Sequence, residues 1–158
     1  MKYPISLTVN GEAMEFSVEP NMSLLDLLRD HVELTGCRRG CDSGYCGACT
    51  VLLDGKAVHS CSVPAVAAHG KDVLTVEALV RDSRLHPVQE AFIEHGAIQC
   101  GYCTPGMILS SVALLGENPD PSEAEVRSYL SGNLCRCTGY VRIVQAVLAA
   151  GEAMRGKI

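Results

Sequence analysis

Nine cysteines, a high number for a chain of 158 residues, constrain this fold more than any other feature. The N-terminal residues lack the apolar segment and small-residue cleavage site of a secretory signal, so we expect the chain in the cytoplasm. Cytosolic thiols are kept reduced, which argues against a disulfide framework and favours metal ligation. One cysteine stands apart from two groups of four: Cys37; then Cys41, Cys46, Cys49 and Cys61; then Cys100, Cys103, Cys135 and Cys137.

The first group has the spacing of a plant-type iron–sulfur site. Four residues separate Cys41 from Cys46, two separate Cys46 from Cys49, and Cys61 follows later. This pattern is typical of the ferredoxins that bind a [2Fe–2S] cluster. The segment 36–47 is rich in glycine and predicts a loop that can wrap a cluster and aim N–H groups inward. A zinc site is the alternative, but zinc ribbons favour two closely spaced cysteine pairs.

The second group consists of two close pairs, Cys100 with Cys103 and Cys135 with Cys137. Two such pairs could bind either zinc or a second [2Fe–2S] cluster, so spacing alone leaves both open. A single residue between Cys135 and Cys137 is unusual for zinc. A thioredoxin-like redox role for Cys100 and Cys103 is disfavoured because the βαβ context is missing.

In residues 1–78 the apolar positions follow the period of β-strands. Two-residue turns at Asn10–Gly11 and Asp54–Gly55 predict two β-hairpins. Ser23 can cap a short helix rich in leucine, and a further strand is predicted at 73–76. We therefore predict a small α+β module here.

Residues 79–158 follow the helical period of 3.6 instead. Pro87 suits the first position of one helix, and Thr104 opens a second. Ser122 forms a predicted capping box for a third helix, and Ile143 lies on the apolar stripe of a fourth. The predicted fold class is therefore α+β, with a first domain of strands and a second domain that is a small helical bundle.

Charge and hydropathy exclude several classes of function. The formal net charge is -5 and no basic patch is present, so we expect no nucleic-acid partner. The longest aliphatic stretches are only a few residues, far too short for a membrane span. No Ser/His/Asp set, dinucleotide-binding glycine motif or P-loop is visible, so we expect no substrate chemistry on this chain.

Three motifs, GCDSGYCGACTVLLDGKAVHSC, AIQCGYCTPGMI and GNLCRCTGY, occur in this order. Together they resemble the small iron–sulfur subunit of the molybdenum hydroxylase family, which includes xanthine dehydrogenases, carbon monoxide dehydrogenases and bacterial aromatic hydroxylases. The resemblance implies a β-grasp, plant-type ferredoxin domain followed by a four-helix bundle, each with one [2Fe–2S] cluster. It implies that Gln99 and Cys137 approach the molybdenum-bound pterin. The implied ligands are Cys41, Cys46, Cys49 and Cys61 for the first cluster and Cys100, Cys103, Cys135 and Cys137 for the second.

The same resemblance implies an electron-transfer subunit within a molybdenum-dependent oxidoreductase. Its expected partners are a large subunit with the molybdenum–pterin (molybdopterin) cofactor and a medium subunit with FAD, assembled as a dimer of heterotrimers. The clusters would pass single electrons between these two subunits. The alternatives from other classes are a free, diffusible ferredoxin and a zinc-bound interaction module.

Several polar residues remain outside these motifs. Cys37 lies just outside the ligand loop, where similar proteins often have threonine, and we expect a small semi-buried side chain there rather than a ligand. Surface or capping roles are expected for the five histidines: His31, His59, His69, His86 and His95. Four arginines could offset the negative charge of the clusters and tune their potentials: Arg38, Arg39, Arg136 and Arg142.

Overall fold

The structure is a computed structural model that describes residues 1–156, so the last two residues of the predicted helical domain lie outside it. The strands in this part of the chain are β1 Tyr3–Val9, β2 Glu12–Val18, β3 Thr50–Leu53, β4 Lys56–His59 and β5 Asp72–Leu74. They form a five-stranded sheet in the order β2-β1-β5-β3-β4. Strand β5 pairs parallel with β1 and antiparallel with β3, so the sheet is mixed.

Both predicted hairpins are confirmed. Strands β1 and β2 pair antiparallel, and the turn residues Asn10 and Gly11 have φ of 53° and 85°. Two successive left-handed residues match the right-handed twist of the flanking strands. Strands β3 and β4 are joined in the same way at Asp54 and Gly55, with φ of 49° and 80°.

The strand predicted at 73–76 is shorter than expected. It ends at Leu74 because Thr75 is held by Asn10: the Thr75 N–H donates to Asn10 Oδ1 at 2.8 Å. A 3-10 turn at Val76–Leu79 follows directly. The hydrogen bond between the Thr75 backbone and the Asn10 side chain therefore ends the strand earlier than the β-branched residues predict.

The described residues contain five α-helices, with the bounds α1 Leu24–Asp26, α2 Pro87–Glu94, α3 Thr104–Glu117, α4 Glu123–Tyr129 and α5 Val141–Arg155. Helix α1 has the predicted cap, since Ser23 and Asp26 form a reciprocal capping box. It continues into a wider π-helical turn, Leu27–His31. Its four leucines are fully buried against the sheet: Leu24, Leu25, Leu27 and Leu28.

The later helices begin where the sequence predicts. Pro87 is the first residue of α2, and Ser122 with Glu125 forms the capping box of α4. Gly96, at φ 60°, ends the turn that follows α2. The helices enclose a second core around Phe92 and Ile143, and α3 also packs on β3.

The α+β fold class is confirmed. Of the five α-helices among residues 1–156, α1 lies beside the sheet and the other four follow residue 86, so a count of four helices describes only the second half of the chain. None of the helices in this part of the chain has the length and apolar character needed to cross a bilayer.

Candidate metal centres

The first cysteine set surrounds a loop without regular secondary structure. The N–H of Gly44, at φ 73°, donates to Cys61 Sγ at 3.3 Å. Three further backbone N–H groups donate to Cys41 Sγ: those of Ser43 at 3.4 Å, Tyr45 at 3.4 Å and Cys46 at 3.3 Å. The loop thus aims its amide dipoles at sulfur, which favours the thiolate form that binds metal.

These contacts change the acidity of the thiols. A hydrogen bond from the Ser43 side chain, together with the three N–H groups, lowers the pKa of Cys41 to about 6. Burial raises the pKa of Cys49 to about 11, and its thiol interacts with that of Cys61. Metal binding would displace the proton that Cys49 otherwise keeps.

Two glycines of this loop lie very close to neighbouring side chains. A Cβ on Gly40 would lie 2.6 Å from Cys46 Sγ, and a Cβ on Gly44 would overlap the Ser62 hydroxyl. Since real Cβ atoms do not approach so closely, a side chain at Gly40 would displace the Cys46 sulfur, and one at Gly44 would displace the Ser62 hydroxyl and be strained by the positive φ. The predicted requirement for glycine in this loop therefore has a steric cause.

The second cysteine set joins two helix starts. Cys100 and Cys103 immediately precede α3, while Cys135 and Cys137 lie in the loop before α5. Thr138 donates to Cys135 Sγ from its N–H at 3.4 Å and from its hydroxyl at 3.1 Å. Burial alone would raise the pKa of Cys135, but these bonds hold it below its usual value. Burial raises the pKa of Cys103 to about 12.

The four thiols of the second set lie close enough to interact with one another. Cys103 interacts with Cys135 and Cys100, and Cys137 interacts with Cys100 and Cys135. A dinuclear cluster is held by four cysteine thiolates, so four neighbouring thiols fit its donor set. Within residues 1–156 no three His, Cys, Asp or Glu side chains converge as a single metal ion requires.

The residues predicted to face the pterin lie at the surface. Both Gln99 and Cys137 are exposed, and so is Cys100. Exposed apolar side chains lie near them in the chain, among them Ile98 and Val141. This edge of the second set is therefore open to a partner.

Cys37 is more buried than predicted. Only 2% of its surface is exposed, and it packs in the core of the strand-containing half. Burial raises the pKa of its thiol to about 12, in spite of the nearby Arg29 guanidinium. Its backbone carbonyl accepts a hydrogen bond from Arg29 at 2.5 Å. The residue thus behaves as a small apolar side chain beneath the loop.

Two polar residues beside the sites were not identified from the sequence. His59 Nδ1 lies 2.9 Å from the Gly44 carbonyl, so this histidine supports the first loop rather than the open surface. Asn133 is buried, and its side-chain amide donates to the Gly47 carbonyl at 3.1 Å. No local pattern marks either residue, because each partner lies far away in the chain.

The two cysteine sets meet directly. The Leu134 N–H donates to the Cys46 carbonyl at 2.8 Å. Leu134 immediately precedes Cys135, so this one hydrogen bond links the backbone at Cys46 of the first set to the backbone beside Cys135 of the second. The contact is tight, since a Cβ on Gly47 would overlap the Gly132 carbonyl.

Comparisons with known proteins agree with this geometry. Residues 7–77 match a family described as a 2Fe-2S iron-sulfur cluster binding domain, and residues 75–148 match one described as a [2Fe-2S] binding domain. The nicotinate dehydrogenase small FeS subunit of Eubacterium barkeri is 49% identical over 151 residues, which is 96% of each chain. The nicotine 6-hydroxylase small subunit of Paenarthrobacter nicotinovorans is 50% identical over 146 residues, 92% of this chain and 88% of that one.

The same relationship is found among solved structures. A chain in the crystal structure of quinoline 2-oxidoreductase from Pseudomonas putida 86 is 48% identical and superimposes with a TM-score of 0.93, covering 99% of both chains. Sequence identity, chain length and fold thus agree over nearly the whole protein. The chain belongs to the family of small iron–sulfur subunits of molybdenum hydroxylases.

Proposed function

We propose that this chain relays single electrons through two [2Fe–2S] clusters, between a molybdenum–pterin subunit and a flavin subunit. The observation that carries the proposal is the hydrogen bond from the Leu134 N–H to the Cys46 carbonyl. It connects the two cysteine sets by a short route of covalent bonds and one hydrogen bond. A free ferredoxin needs only one such set, and its second half would have no purpose.

The proposed ligands follow the two sets of four thiols. Each cluster, when bound, accepts and releases one electron at a time. The chain supplies backbone N–H groups to Cys41 and a hydroxyl to Cys135, and these hydrogen bonds hold thiolates in place. The ligands are Cys41, Cys46, Cys49 and Cys61 for one cluster and Cys100, Cys103, Cys135 and Cys137 for the other.

The order of the relay follows from the resemblance of the motifs that contain Gln99 and Cys137. Gln99 and Cys137 are both exposed, so a pterin on the large subunit could reach them. Exposed apolar side chains of Ile98 and Val141 lie in the same part of the chain and suit a buried subunit interface. The second cluster would then receive electrons first, and the first cluster would pass them to FAD on the medium subunit.

Three finer statements belong to the same proposal. We take residues 1–78 as a β-grasp, plant-type ferredoxin domain and residues 79–158 as a four-helix bundle, supported by matched segments that meet at residues 75–77. The enzyme would be a dimer of heterotrimers. Its location would be the cytoplasm.

Purification of the chain with its complex tests the proposal. We expect about four irons and four acid-labile sulfides per chain and two distinguishable paramagnetic centres after reduction. The large subunit should copurify, and the isolated chain should accept electrons from dithionite but oxidise no organic substrate. Zinc in place of iron, or a chain that purifies without partners from its native cell, would contradict it.

A further inference from the structure

Arg38 carries a positive charge that no carboxylate neutralises among residues 1–156. Its neighbour Arg39, by contrast, forms ion pairs with Asp26 and Asp42. The Nε of Arg38 is buried and has no acceptor among the described residues. A buried cationic N–H of this kind is costly unless negative charge lies nearby.

The backbone holds Arg38 against the first cysteine set. Its N–H donates to the Ala48 carbonyl at 3.1 Å, immediately before Cys49. Two residues later, Gly40 passes so close to Cys46 that a Cβ would lie 2.6 Å from its sulfur. Arg38 is therefore tied to the loop that surrounds the first site.

An aromatic ring holds the same side chain against the second set. The guanidinium carbon of Arg38 lies 5.8 Å from the ring centroid of Tyr102, which stands between Cys100 and Cys103. This distance is within the range of a cation–π contact. The Tyr102 hydroxyl donates to the Arg39 carbonyl at 2.6 Å, which fixes the ring. Arg38 thus lies where the two sites meet.

We propose that Arg38, held between the two cysteine sets by Tyr102, is a fixed positive charge that makes both clusters easier to reduce. The inference rests on the two-cluster assignment above. Reduction adds one electron to a cluster, supplied by dithionite in a titration or by the molybdenum subunit in the enzyme, and no bond forms or breaks. A nearby cation stabilises the more negative product and so raises the reduction potential.

Redox titration of the assembled enzyme, followed by the two paramagnetic signals, tests the role of Arg38. In Arg38→Gln we expect the equilibrium constant for reduction to fall at least threefold at both centres, a shift of about 28 mV to lower potential for one electron. Arg38→Lys keeps the charge and should stay close to the wild type. Arg39→Gln is the matched control, because it removes the same charge from a neighbour already paired with carboxylates.

Iron content separates the possible failures. If the Arg38→Gln variant loses iron, the Tyr102→Leu variant is titrated instead. Tyr102→Leu keeps the Arg38 side chain but removes the ring that holds it. The reduction potentials of both clusters should again fall. Unchanged reduction potentials in an Arg38→Gln variant that keeps four irons would overturn the proposed role of Arg38. A shift in Arg39→Gln as large as that in Arg38→Gln would do the same. Neither result would affect the two-cluster assignment. A wild-type enzyme without two signals would overturn the two-cluster assignment itself.

Discussion

The side-chain amide of Asn133 donates to the carbonyl of Gly47 at 3.1 Å, across 86 positions of the chain. The same nitrogen donates to Thr50 Oγ1 at 3.1 Å, and Asn133 Oδ1 accepts from the Ser110 hydroxyl at 2.8 Å. Asn133 is only 5% exposed, so water does not replace these bonds. It fastens the loop of the second cysteine set to that of the first.

Removal of the Asn133 side-chain amide should lower the stability of the folded chain. Asn133→Ala leaves the buried Ser110 hydroxyl without its partner and removes one donor from the Gly47 carbonyl, which keeps its two hydrogen bonds from Thr50; the loss costs about 1–3 kcal/mol. For a chain of this size we expect the melting temperature to fall by about 2–4 °C for each kcal/mol. Asn21→Ala, at an exposed position, is the control. Equal melting temperatures for the two variants would mean that Asn133 does not hold the junction.

Two glycines of α3 should respond to alanine with opposite signs. A Cβ on Gly106 would overlap the Gly47 carbonyl, whereas a Cβ on Gly116 meets nothing within 4 Å. Gly106→Ala should therefore destabilise the chain by about 1–3 kcal/mol because the backbone must move. Gly116→Ala should stabilise it by about 0.5–1 kcal/mol, since glycine is a poor helix former. Denaturant unfolding measures both, and a Gly106→Ala variant as stable as the wild type would disprove the steric explanation.

The ninth cysteine should be separable from the ligands. Cys37→Ser should keep four irons per chain, because its side chain is buried in the core and its thiol has a pKa of about 12. Cys46→Ser should lose or distort only the first cluster, since the second takes its ligands from other residues. Iron analysis and the two paramagnetic signals distinguish these outcomes. Loss of the first signal in Cys37→Ser would reassign that site.

Acid should weaken the start of α1. Burial alone would raise the pKa of Asp26, but hydrogen bonds from Arg39 and Ser23 outweigh it and hold the pKa below the usual 3.8. The folded pKa lies below the unfolded one, so this contribution is present above pH 3.8 and is lost as pH falls through the folded value. Asp26→Asn should remove about 0.5 kcal/mol of stability at pH 7, because solvent screens the partly exposed pair. The difference from wild type should shrink below pH 3.8.

The matched control for this acid dependence is Glu15→Gln, on the exposed side of β2. Urea unfolding between pH 7 and pH 3 should give the same pH dependence for this variant and the wild type. A constant difference between Asp26→Asn and wild type at every pH would show that the carboxylate charge is not responsible.

Gln99 offers a test of the order of the relay. In the assembled enzyme Gln99→Ala should keep both clusters, because an amide is not an iron ligand. The variant should lose the proposed hydrogen bond that orients the pterin, which is worth about 0.5–1.5 kcal/mol. Rapid mixing with substrate should then show slower reduction of the centres and normal transfer from flavin to acceptor. Gln145→Ala, on the exposed face of α5, is the control. Slowing confined to the flavin half-reaction would reverse the proposed order.

Local chemistry made much of this protein predictable from its sequence. Asn10 and Gly11 form their turn because both adopt left-handed dihedrals, and Ser122 with Glu125 caps a helix within one turn of chain. The two cysteine groups are recognisable for the same reason, since most cysteines of each group lie a few residues from another cysteine. The sequence predicts the wrong end for β5 because the residue that binds Thr75 is Asn10, 65 positions away.

Only the tertiary structure decided how the two sites are joined. The hydrogen bond between Leu134 and Cys46, and the cation–π contact of Arg38 with Tyr102, bring together residues from the two halves of the chain. Periodicity and spacing describe neighbours along the chain, whereas these contacts depend on how α3 packs against β3. The sequence by itself therefore determined two cysteine sets and their local folds, and the packing of one half on the other determined which charge and which hydrogen bond lie between them.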